Sequence, residues 1–533
     1  MSRRIVIVFY LFVLCMGALG VRLIRIPMLL PAQASHGAAR VVVDTSRGAI
    51  YDRNMVWLVQ GQRQAYAAVK PTPAASLALR SVLSESRFAA AEERLARGSL
   101  IALPVEPPLP PCPDILLLDA YPRYAANQLA PHVIGYLDGQ TGAGVSAIER
   151  AFEPILGGAA GELAVRMAVD VNGRGLGGAA LELESDNYRS PAGVQLTIDA
   201  RVQRIAQEAL TLCGVEQGAA VVLDCCTGEI LALASAPVFD PNRIALSLND
   251  PLEPFFNRAL GAYPMGSSFK CFVAAAALEQ RFPASTRFTC AGELDVNGQI
   301  FHCSGGGVHG CLDMTEALTQ SCNLYFIQLA QKMQPQPMLD LLRLFGFGEG
   351  AQLVPGIYGA EGLIPAREEL ALPGELANFS FGQGRLLGTP LQIAAATACL
   401  ANGGVYRSPT LVMATVDESG IAAPYAQDRE VREVVSPEIA AQVRQMMVAA
   451  VESGTGTGAK PETGGAGGKT ATAQSGRRGP DGTELLHTGF TGFFPAQEPR
   501  YAVAVFRQNG TSGAGDCAPV FRRIANAMTA LGL

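Results

Sequence analysis

Two residues spaced one helical turn apart form the first pair in the sequence that could perform covalent chemistry. Ser267 and Lys270 begin and end the segment Ser-Ser-Phe-Lys, and on a helix residues at this spacing lie on one face. A serine hydroxyl is a weak nucleophile until a base removes its proton, and a lysine whose pKa is lowered by burial can act as that base. Taken alone, the spacing is common and also fits the solvated start of a helix.

A second short motif holds two polar side chains on either side of one cysteine. Ser321 and Asn323 flank Cys322 just before the apolar segment 324–329. Read alone, these polar residues are typical of a helix N-cap.

A third motif places a lysine in a predicted strand. In Gly468-Lys469-Thr470-Ala471-Thr472, strand alternation puts Lys469 and Ala471 on one face and Thr470 and Thr472 on the other. Read alone, the segment also fits an edge strand with a solvated lysine.

The elements that must position these motifs alternate between strands and Ala-rich helices. Residue patterns predict a strand over 194–198, a helix over 200–212 that begins after Asp199, and a hairpin of strands 219–223 and 229–235. We further expect helices over 77–97, 270–280, 389–401 and 516–533, and strands over 470–474, 489–494 and 501–507. Strands at both ends with helices between them predict an α+β domain with an antiparallel sheet flanked by helices.

Length and charge limit the class of protein. The chain has 533 residues, which suggests two or three domains, and 49% of them are hydrophobic, enough for a sizeable core. The net charge is −6, and no Lys/Arg-rich run of the kind that binds nucleic acid is present. We therefore do not expect DNA or RNA as a partner.

The N-terminus carries an apolar run over residues 5–21 with arginines on both sides. Its length is close to the lower limit for a membrane-spanning helix. We predict a cytoplasmic tip and an uncleaved single-pass transmembrane anchor over residues 1–26. The alternative is a cleaved signal peptide, since Ala32-Gln33-Ala34 has the small-x-small form of a cleavage site.

The three motifs, in this order, resemble those of the serine penicillin-recognising enzymes. From about residue 47 to residue 521 the chain resembles the class B penicillin-binding proteins. Several other segments carry this resemblance: Arg47-Gly48-Ala49-Ile50-Tyr51-Asp52-Arg53-Asn54, the Gly-x-x-x-Ile-Glu of 144–149, Leu196-Thr197-Ile198-Asp199, 227–232, Phe239-Asp240-Pro241-Asn242, Asn257-Arg258-Ala259, Gly382-Gln383-Gly384, Thr389-Pro390-Leu391-Gln392 and Gly454-Thr455-Gly456.

The resemblance implies a peptidoglycan D,D-transpeptidase. Ser267 would attack the D-Ala-D-Ala carbonyl of a stem peptide, with Lys270 as general base. Ser321 and Lys469 would relay the proton to the leaving amine, and Asn323 would hold the substrate amide and Lys270.

The same resemblance implies how substrate is bound. The backbone N–H groups of Ser267 and Thr472 would form the oxyanion hole, and the hydroxyl groups of Thr470 and Thr472 would bind the terminal carboxylate. β-Lactams would acylate the same serine, and no cofactor would be required.

Ala471 departs from the family pattern, which has glycine at this position. We expect its methyl group to point to where substrate lies, with a small loss of fit, or with a catalytically weak enzyme as the alternative.

The resemblance also predicts the domain order. A mixed α/β pedestal domain over 36–195 would precede a transpeptidase domain of serine β-lactamase-like fold over 196–533, outside the cell membrane. A polytopic membrane glycosyltransferase is the expected protein partner. Two other functions stay open: a carboxypeptidase or β-lactamase type of hydrolase, and a non-catalytic scaffold for wall synthesis. The sequence does not distinguish elongation, division and sporulation.

Four residues of types that commonly bind zinc lie close to the catalytic motifs in sequence. Cys290, Cys303, His309 and Cys322 could form a closed tetrahedral zinc site, and some elongation-type members of the family carry metal ligands at similar places. Cys311 and His302 could substitute as ligands. The alternatives are ordinary free thiols and a Cys303–Cys322 disulfide.

Overall fold

The structure is a computed structural model that describes residues 2–29, 37–59, 61–170, 175, 178–479 and 482–533. The candidate cleavage site at residues 32–34 lies outside the described residues. The chain divides into two compact units, of which the first comprises 1–46, 62–122 and 161–188 and the second comprises 47–61, 123–160 and 189–533.

Sixteen α-helices are numbered in chain order within the described residues. The N-terminal half contains α1 (Ser2–Leu29), α2 (Pro73–Arg80), α3 (Glu85–Ala96), α4 (Pro131–Ile134), α5 (Ala147–Ala151), α6 (Glu153–Leu156) and α7 (Ala200–Leu212). The C-terminal half contains α8 (Lys270–Glu279), α9 (Met314–Thr319), α10 (Asn323–Ala330), α11 (Pro335–Leu344), α12 (Pro373–Ser380), α13 (Pro390–Ala401), α14 (Pro437–Ser453), α15 (Gly513–Asp516) and α16 (Ala518–Ala530).

The strands are numbered in the same way. The N-terminal half contains β1 (Ala38–Ser46), β2 (Ala49–Tyr51), β3 (Gln64–Val69), β4 (Ile101–Pro104), β5 (Ile115–Ala120), β6 (Gly161–Ala168), β7 (Leu181–Glu184), β8 (Gly193–Leu196), β9 (Gly218–Asp224) and β10 (Ile230–Ala236). The central part contains β11 (Tyr263–Pro264), β12 (Phe288–Cys290), β13 (Glu293–Val296), β14 (Gln299–His302), β15 (Gly310–Leu312), β16 (Gln352–Val354), β17 (Ile357–Tyr358) and β18 (Leu387–Gly388). The C-terminal part contains β19 (Val405–Arg407), β20 (Val412–Val416), β21 (Ala422–Pro424), β22 (Val431–Glu433), β23 (Gly467–Arg478), β24 (Glu484–Phe494) and β25 (Tyr501–Gly510).

The first unit contains two three-stranded antiparallel sheets, in the orders β1-β6-β7 and β4-β3-β5. Helices α2 and α3 belong to this unit and bury Leu79, Phe88 and Leu95. The sequence predicted one helix over 77–97. The structure has two helices separated by residues 81–84, because Ser84 takes an extended conformation and starts a new helix. Ser is a common residue at such a start.

A five-stranded antiparallel sheet in the order β10-β9-β25-β24-β23 forms the centre of the second unit. Alternate side chains of its strands enter two different cores, as strand periodicity requires. Val221 and Ala504 join one core with helices α8 and α13, and Val222 and Val503 join the other with α7 and α16. The sheet is therefore covered by helices on both faces, and the predicted α+β fold is confirmed.

The division into units differs from the predicted domain boundary at residue 195. Residues 47–61, 123–160 and 189–195 pack within the second unit, although the sequence placed them in the pedestal. The cause is a second sheet, β2-β8-β20-β21, in which β2 pairs in parallel with β8. The segment that begins at Arg47 therefore supplies a strand to the unit that contains the catalytic motifs.

The N-terminal run predicted as an anchor forms helix α1. Within the described residues, no helix combines the length and apolar character needed to cross a membrane.

Candidate active site

The nucleophile candidate lies in a single turn that leads directly into a buried helix. Ser267 belongs to the 3-10 turn Gly266–Phe269, and α8 starts at Lys270. Nine of the ten residues of α8 are buried, so the helix carries Lys270 into the core, where its side chain is 0% exposed. Lys270 Nζ lies 3.1 Å from Ser267 Oγ, which brings the first predicted pair together.

Lys270 also forms hydrogen bonds with the polar atoms of the second motif. Its Nζ donates to Ser321 O at 2.7 Å, to Ser321 Oγ at 3.3 Å and to Asn323 Oδ1 at 2.6 Å. Burial, reinforced by the nearby charge of Lys469, lowers the pKa of Lys270 well below its ordinary value of 10.5. A lowered pKa favours the neutral amine, which is the form that can accept the proton of the serine hydroxyl as a general base.

The loop of the second motif is held in an unusual backbone conformation. Ser321 has a φ of +57°, a region that residues other than glycine rarely adopt. Helix α9 ends just before it, and α10 starts just after it at Asn323. Cys322, rather than Ser321, caps α10, because its sulfur accepts a hydrogen bond from Tyr325 N. Ser321 is thus left to face Lys270.

The third motif lies on β23, the last strand in the order of the five-stranded sheet. Lys469 is 0% exposed, and burial lowers its pKa from 10.5 to about 8. Its Nζ donates to Thr470 O at 3.2 Å, to Thr470 Oγ1 at 3.2 Å and to Thr455 Oγ1 at 3.4 Å. Among the described residues no hydrogen bond joins Lys469 to Ser321, so the relay through these two residues stays a prediction.

Two glycines bring the first and third motifs into close approach. Gly266 has a φ of +56°, and a Cβ on it would lie 3.1 Å from Thr472 O. A Cβ on Gly382 would lie 2.0 Å from Gly266 O, a distance that no side chain tolerates. The turn that carries Ser267 therefore lies between β23 and the loop at Gly382, and the oxyanion hole formed by Ser267 and Thr472 stays a prediction.

The two threonines of the third motif differ in exposure. Thr472 is exposed, and its Oγ1 accepts a hydrogen bond from Gly513 N at 3.2 Å. Thr470 is only 7% exposed, and its Oγ1 lies 3.1 Å from Thr455 Oγ1. Carboxylate binding by these hydroxyl groups stays a prediction.

Ala471 of the third motif is buried in the protein interior. Its side chain is 6% exposed and lines a small cavity together with Met265, Ser268 and Tyr263. Strand alternation turns its methyl group to the buried face of β23, away from the edge where Thr472 is exposed. The methyl group thus contacts the protein interior, and its effect on the fit of substrate stays a prediction.

The four predicted metal ligands converge beside the second motif. The ligand atoms of Cys290, Cys303, His309 and Cys322 all lie within 4.8 Å of one another. The Sγ atoms of Cys303 and Cys322 are 3.7 Å apart, and His309 Nδ1 lies 3.5 Å from Cys290 Sγ and 3.4 Å from Cys303 Sγ. All twelve cysteines lie in the described residues and are free thiols there.

The three distances of 3.4, 3.5 and 3.7 Å are close to those of a tetrahedral zinc site. An ion with bonds of about 2.3 Å to sulfur and about 2.0 Å to nitrogen would hold its ligand atoms about 3.8 Å (S–S) and about 3.5 Å (S–N) apart. The hydrogen bond from the Cys322 thiol lowers the pKa of Cys303 below its ordinary value, which favours a thiolate at this position. The same hydrogen bond, together with burial, raises the pKa of Cys322.

The structure places at the site two further residues whose roles local patterns did not predict. Gly382 supports the nucleophile turn, and Thr455 contacts Lys469 and Thr470. Both belong to short motifs with two glycines that carry the family resemblance. Neither spacing indicates which distant strand or turn the residue will contact.

Comparisons with known proteins agree with this geometry. Residues 218–526 match the family model described as "Penicillin binding protein transpeptidase domain". Peptidoglycan D,D-transpeptidase MrdA of Acinetobacter baumannii is 32% identical over 438 residues, which cover 73% of this chain and 63% of that protein. For PbpA of Mycobacterium tuberculosis, also named a peptidoglycan D,D-transpeptidase, the identity is 31% over 415 residues, or 72% of this chain and 79% of that protein. Stage V sporulation protein D of Bacillus subtilis is 30% identical over 73% of this chain and 60% of that protein.

Solved structures show the same fold. The imipenem acyl-enzyme complex of penicillin-binding protein A from M. tuberculosis superimposes with a TM-score of 0.66 at 25% identity, covering 91% of this chain and 98% of that chain. The D,D-transpeptidase domain of a peptidoglycan glycosyltransferase from Eggerthella lenta gives the same TM-score and identity over 91% of this chain and 99% of that chain. The resemblance found in the sequence is confirmed, and this chain belongs to the class B penicillin-binding proteins.

Proposed function

We propose that this protein is a serine peptidoglycan D,D-transpeptidase that β-lactams inhibit. The observation that carries the proposal is the 3.1 Å distance between Ser267 Oγ and the buried Nζ of Lys270. Because burial lowers the pKa of Lys270, its amine loses a proton more readily than that of an exposed lysine and can act as the base. The relatives named D,D-transpeptidases and the acyl-enzyme complexes of related structures support the same activity.

In the acylation step, Ser267 Oγ attacks the carbonyl carbon of the penultimate D-Ala while its proton moves to Lys270 Nζ. The peptide C–N bond then breaks, and the terminal D-Ala leaves as an amine after it receives a proton. Ser321 is placed to pass that proton, since its Oγ lies 3.3 Å from Lys270 Nζ. The Ser267 ester that remains is attacked by an amine of a second stem peptide, which forms the cross-link and restores the serine hydroxyl.

Charge develops on the carbonyl oxygen during this attack. The backbone N–H groups of Ser267 and Thr472 are the proposed donors that stabilise it, and such donors typically supply a large part of the rate enhancement. The hydroxyl groups of Thr470 and Thr472 are the proposed ligands of the terminal carboxylate.

Labelling with a fluorescent penicillin separates the proposed activity from its alternatives. We expect the full-length protein to form a long-lived adduct that Ser267→Ala abolishes and Ser268→Ala preserves. Rapid release of the label would instead indicate a hydrolase, and a complete lack of labelling would indicate a scaffold.

We also propose that the protein is anchored in the cell membrane with its catalytic unit outside the cytoplasm. The apolar run over residues 5–21 supports the anchor, and the family resemblance supports a catalytic unit outside the cytoplasm. The full-length chain should stay in the membrane fraction after an alkaline carbonate wash, and a variant without residues 2–25 should not. Release of the full-length chain by carbonate would contradict an integral anchor.

A polytopic membrane glycosyltransferase is the proposed partner, on the strength of the family resemblance. Co-expression of this chain with such an enzyme and purification in detergent should give a single complex by size-exclusion chromatography. Separate elution of the two proteins would contradict the partnership.

We further propose that Cys290, Cys303, His309 and Cys322 bind one structural zinc ion. The match of their distances to tetrahedral coordination supports this ligand set. Zinc analysis of purified protein should give about one ion per chain. Cys322→Ser should lower that content, whereas Cys226→Ser, a change at an exposed cysteine in a different turn, should leave it unchanged. A zinc-free wild-type protein would contradict the site.

A further inference from the structure

Thr455 contacts both polar side chains at the start of the third motif. Its Oγ1 lies 3.4 Å from Lys469 Nζ and 3.1 Å from Thr470 Oγ1. Within the part of the chain that the structure describes, the other acceptors of Lys469 Nζ both belong to Thr470. Thr455 thus supplies the acceptor that comes from outside strand β23.

The hydrogen-bond capacity of a hydroxyl group fits this position. Thr455 Oγ1 has one proton to donate and lone pairs to accept, whereas the Lys469 ammonium can only donate. If Thr455 accepts from Lys469, its own proton is directed to Thr470 Oγ1. This chain of hydrogen bonds fixes the orientation of both third-motif side chains at once.

The backbone of Thr455 is hydrogen-bonded to the end of α9, shortly before the second motif. Thr455 N donates to Thr319 O at 3.1 Å, and Thr319 is the last residue of α9, shortly before Ser321. A Cβ on Gly454 would lie 2.2 Å from Thr319 O, so this close approach requires a glycine. One short segment therefore contacts the end of α9, shortly before the second motif, through its backbone and the third motif through a side chain.

The end of α14 holds this segment in place. Gly454 N and Gly456 N both donate to Ala450 O, at 3.2 Å and 3.0 Å. Thr455 lies between these two anchored residues, so the position of its hydroxyl group is set by the helix end.

We propose that Thr455 is a positioning residue of the acylation step, an inference that rests on the proposed transpeptidase function. Its hydroxyl group holds the Lys469 ammonium at the junction of the second and third motifs. Without that acceptor, Lys469 would retain only its partners on Thr470, and its charge would move away from the second motif. The residue acts through Lys469 and does not touch the reacting atoms.

A stopped-flow experiment tests this inference by following how a chromogenic cephalosporin acylates the full-length protein in detergent. It yields the acylation rate constant and the dissociation constant of the initial complex separately. Loss of a hydrogen bond to a charged group predicts that Thr455→Val lowers the rate constant at least about tenfold. Thr455→Ser, which keeps the hydroxyl group, should stay within about threefold of wild type. Thr457→Val, a matched change at an exposed threonine of the same segment, should have no effect.

Two results would overturn the inference. One is an unchanged rate constant in Thr455→Val. The other is an equal loss in Thr455→Val and Thr455→Ser, which would assign the effect to packing of the methyl group. If Thr455→Val does not fold, as judged by its thermal melting curve, Thr455→Ala is compared with Thr455→Ser in the same way. A wild-type protein that is not acylated at all would contradict the proposed function rather than the role of Thr455.

Discussion

Lys270 Nζ lies 2.6 Å from Asn323 Oδ1, although 53 residues separate them in the chain. The contact joins the first motif to the second inside a region where Lys270 is fully buried. It orients the amine so that Ser267 Oγ lies within 3.1 Å of it. In the proposed mechanism, deprotonation of Ser267 therefore depends on a lysine that is both held by neighbouring acceptors and made less basic by burial.

Lys270→Arg should nearly abolish acylation. A guanidinium group keeps its proton at any accessible pH, so it preserves the positive charge but cannot accept the proton of Ser267. General-base catalysis contributes about 10²- to 10⁴-fold, and we expect a loss of that size in the acylation rate constant for a β-lactam. Lys332→Arg, at an exposed lysine, is the matched control, and acylation of Lys270→Arg at the wild-type rate would exclude Lys270 as the base.

Lys469 should make the stability of the protein depend on pH. Because burial lowers its pKa to about 8, the unfolded chain binds a proton that the folded chain releases between about pH 8 and the ordinary lysine pKa of about 10.4. Its contribution to the free energy of unfolding therefore rises with pH through this window and is smallest below pH 8.

Lys469→Met removes that contribution. Relative to wild type, the variant should melt at a higher temperature at pH 7, and the difference should shrink as the pH rises from 8 to 10. Thermal melting at several pH values measures this. A difference that is constant across the window would contradict the lowered pKa.

Gly382→Ala should disturb the nucleophile turn. The new Cβ would lie 2.0 Å from Gly266 O, and the φ of +82° at this position adds strain. Gly403→Ala is a control that isolates the strain, because Gly403 has a φ of +96° with nothing within 4 Å of its Cβ position. Strain alone costs about 1–2 kcal/mol, so Gly382→Ala should destabilise the protein by more than Gly403→Ala does. It should also slow acylation, whereas equal effects of the two changes would contradict the close approach.

Ala471→Gly should change stability more than activity. Its methyl group faces the interior cavity beside Met265 and Ser268, and glycine within a strand costs about 0.5–1 kcal/mol relative to alanine. We expect the acylation rate constant to stay within about threefold of wild type while the melting temperature falls. Ala473→Gly, on the same buried face, should give a similar loss of stability. A large gain in acylation rate from Ala471→Gly would show that the methyl group obstructs substrate after all.

Local patterns in the sequence predicted those elements whose contacts are close in the chain. The helix expected over 200–212 coincides with α7, and the hairpin expected over 219–235 corresponds to β9 and β10. Both depend on signals within a few residues, namely the cap at Asp199 and the turn at residues 226–228. The three catalytic motifs are also local in sequence, but their roles were assigned from their order and from the family resemblance, since each motif alone fits another interpretation.

Contacts between distant segments could not be read from local patterns. The pairing of β2 with β8 joins residues more than a hundred positions apart, so the boundary between the two units differs from the predicted one. The contact between Thr455 and Lys469 depends on where α14 ends relative to β23. Strand alternation predicted which face of β23 carries Ala471. It did not predict which residues pack against that face, because they belong to the distant turn at Gly266.

Peptide mapping by mass spectrometry after reaction with a β-lactam tests the central claim most directly. We predict one drug molecule bound as an ester to Ser267, formed at neutral pH by the wild-type protein and absent from Ser267→Ala. An adduct on a different residue, or an unmodified Ser267 in folded protein, would contradict the assignment of Ser267 as the nucleophile.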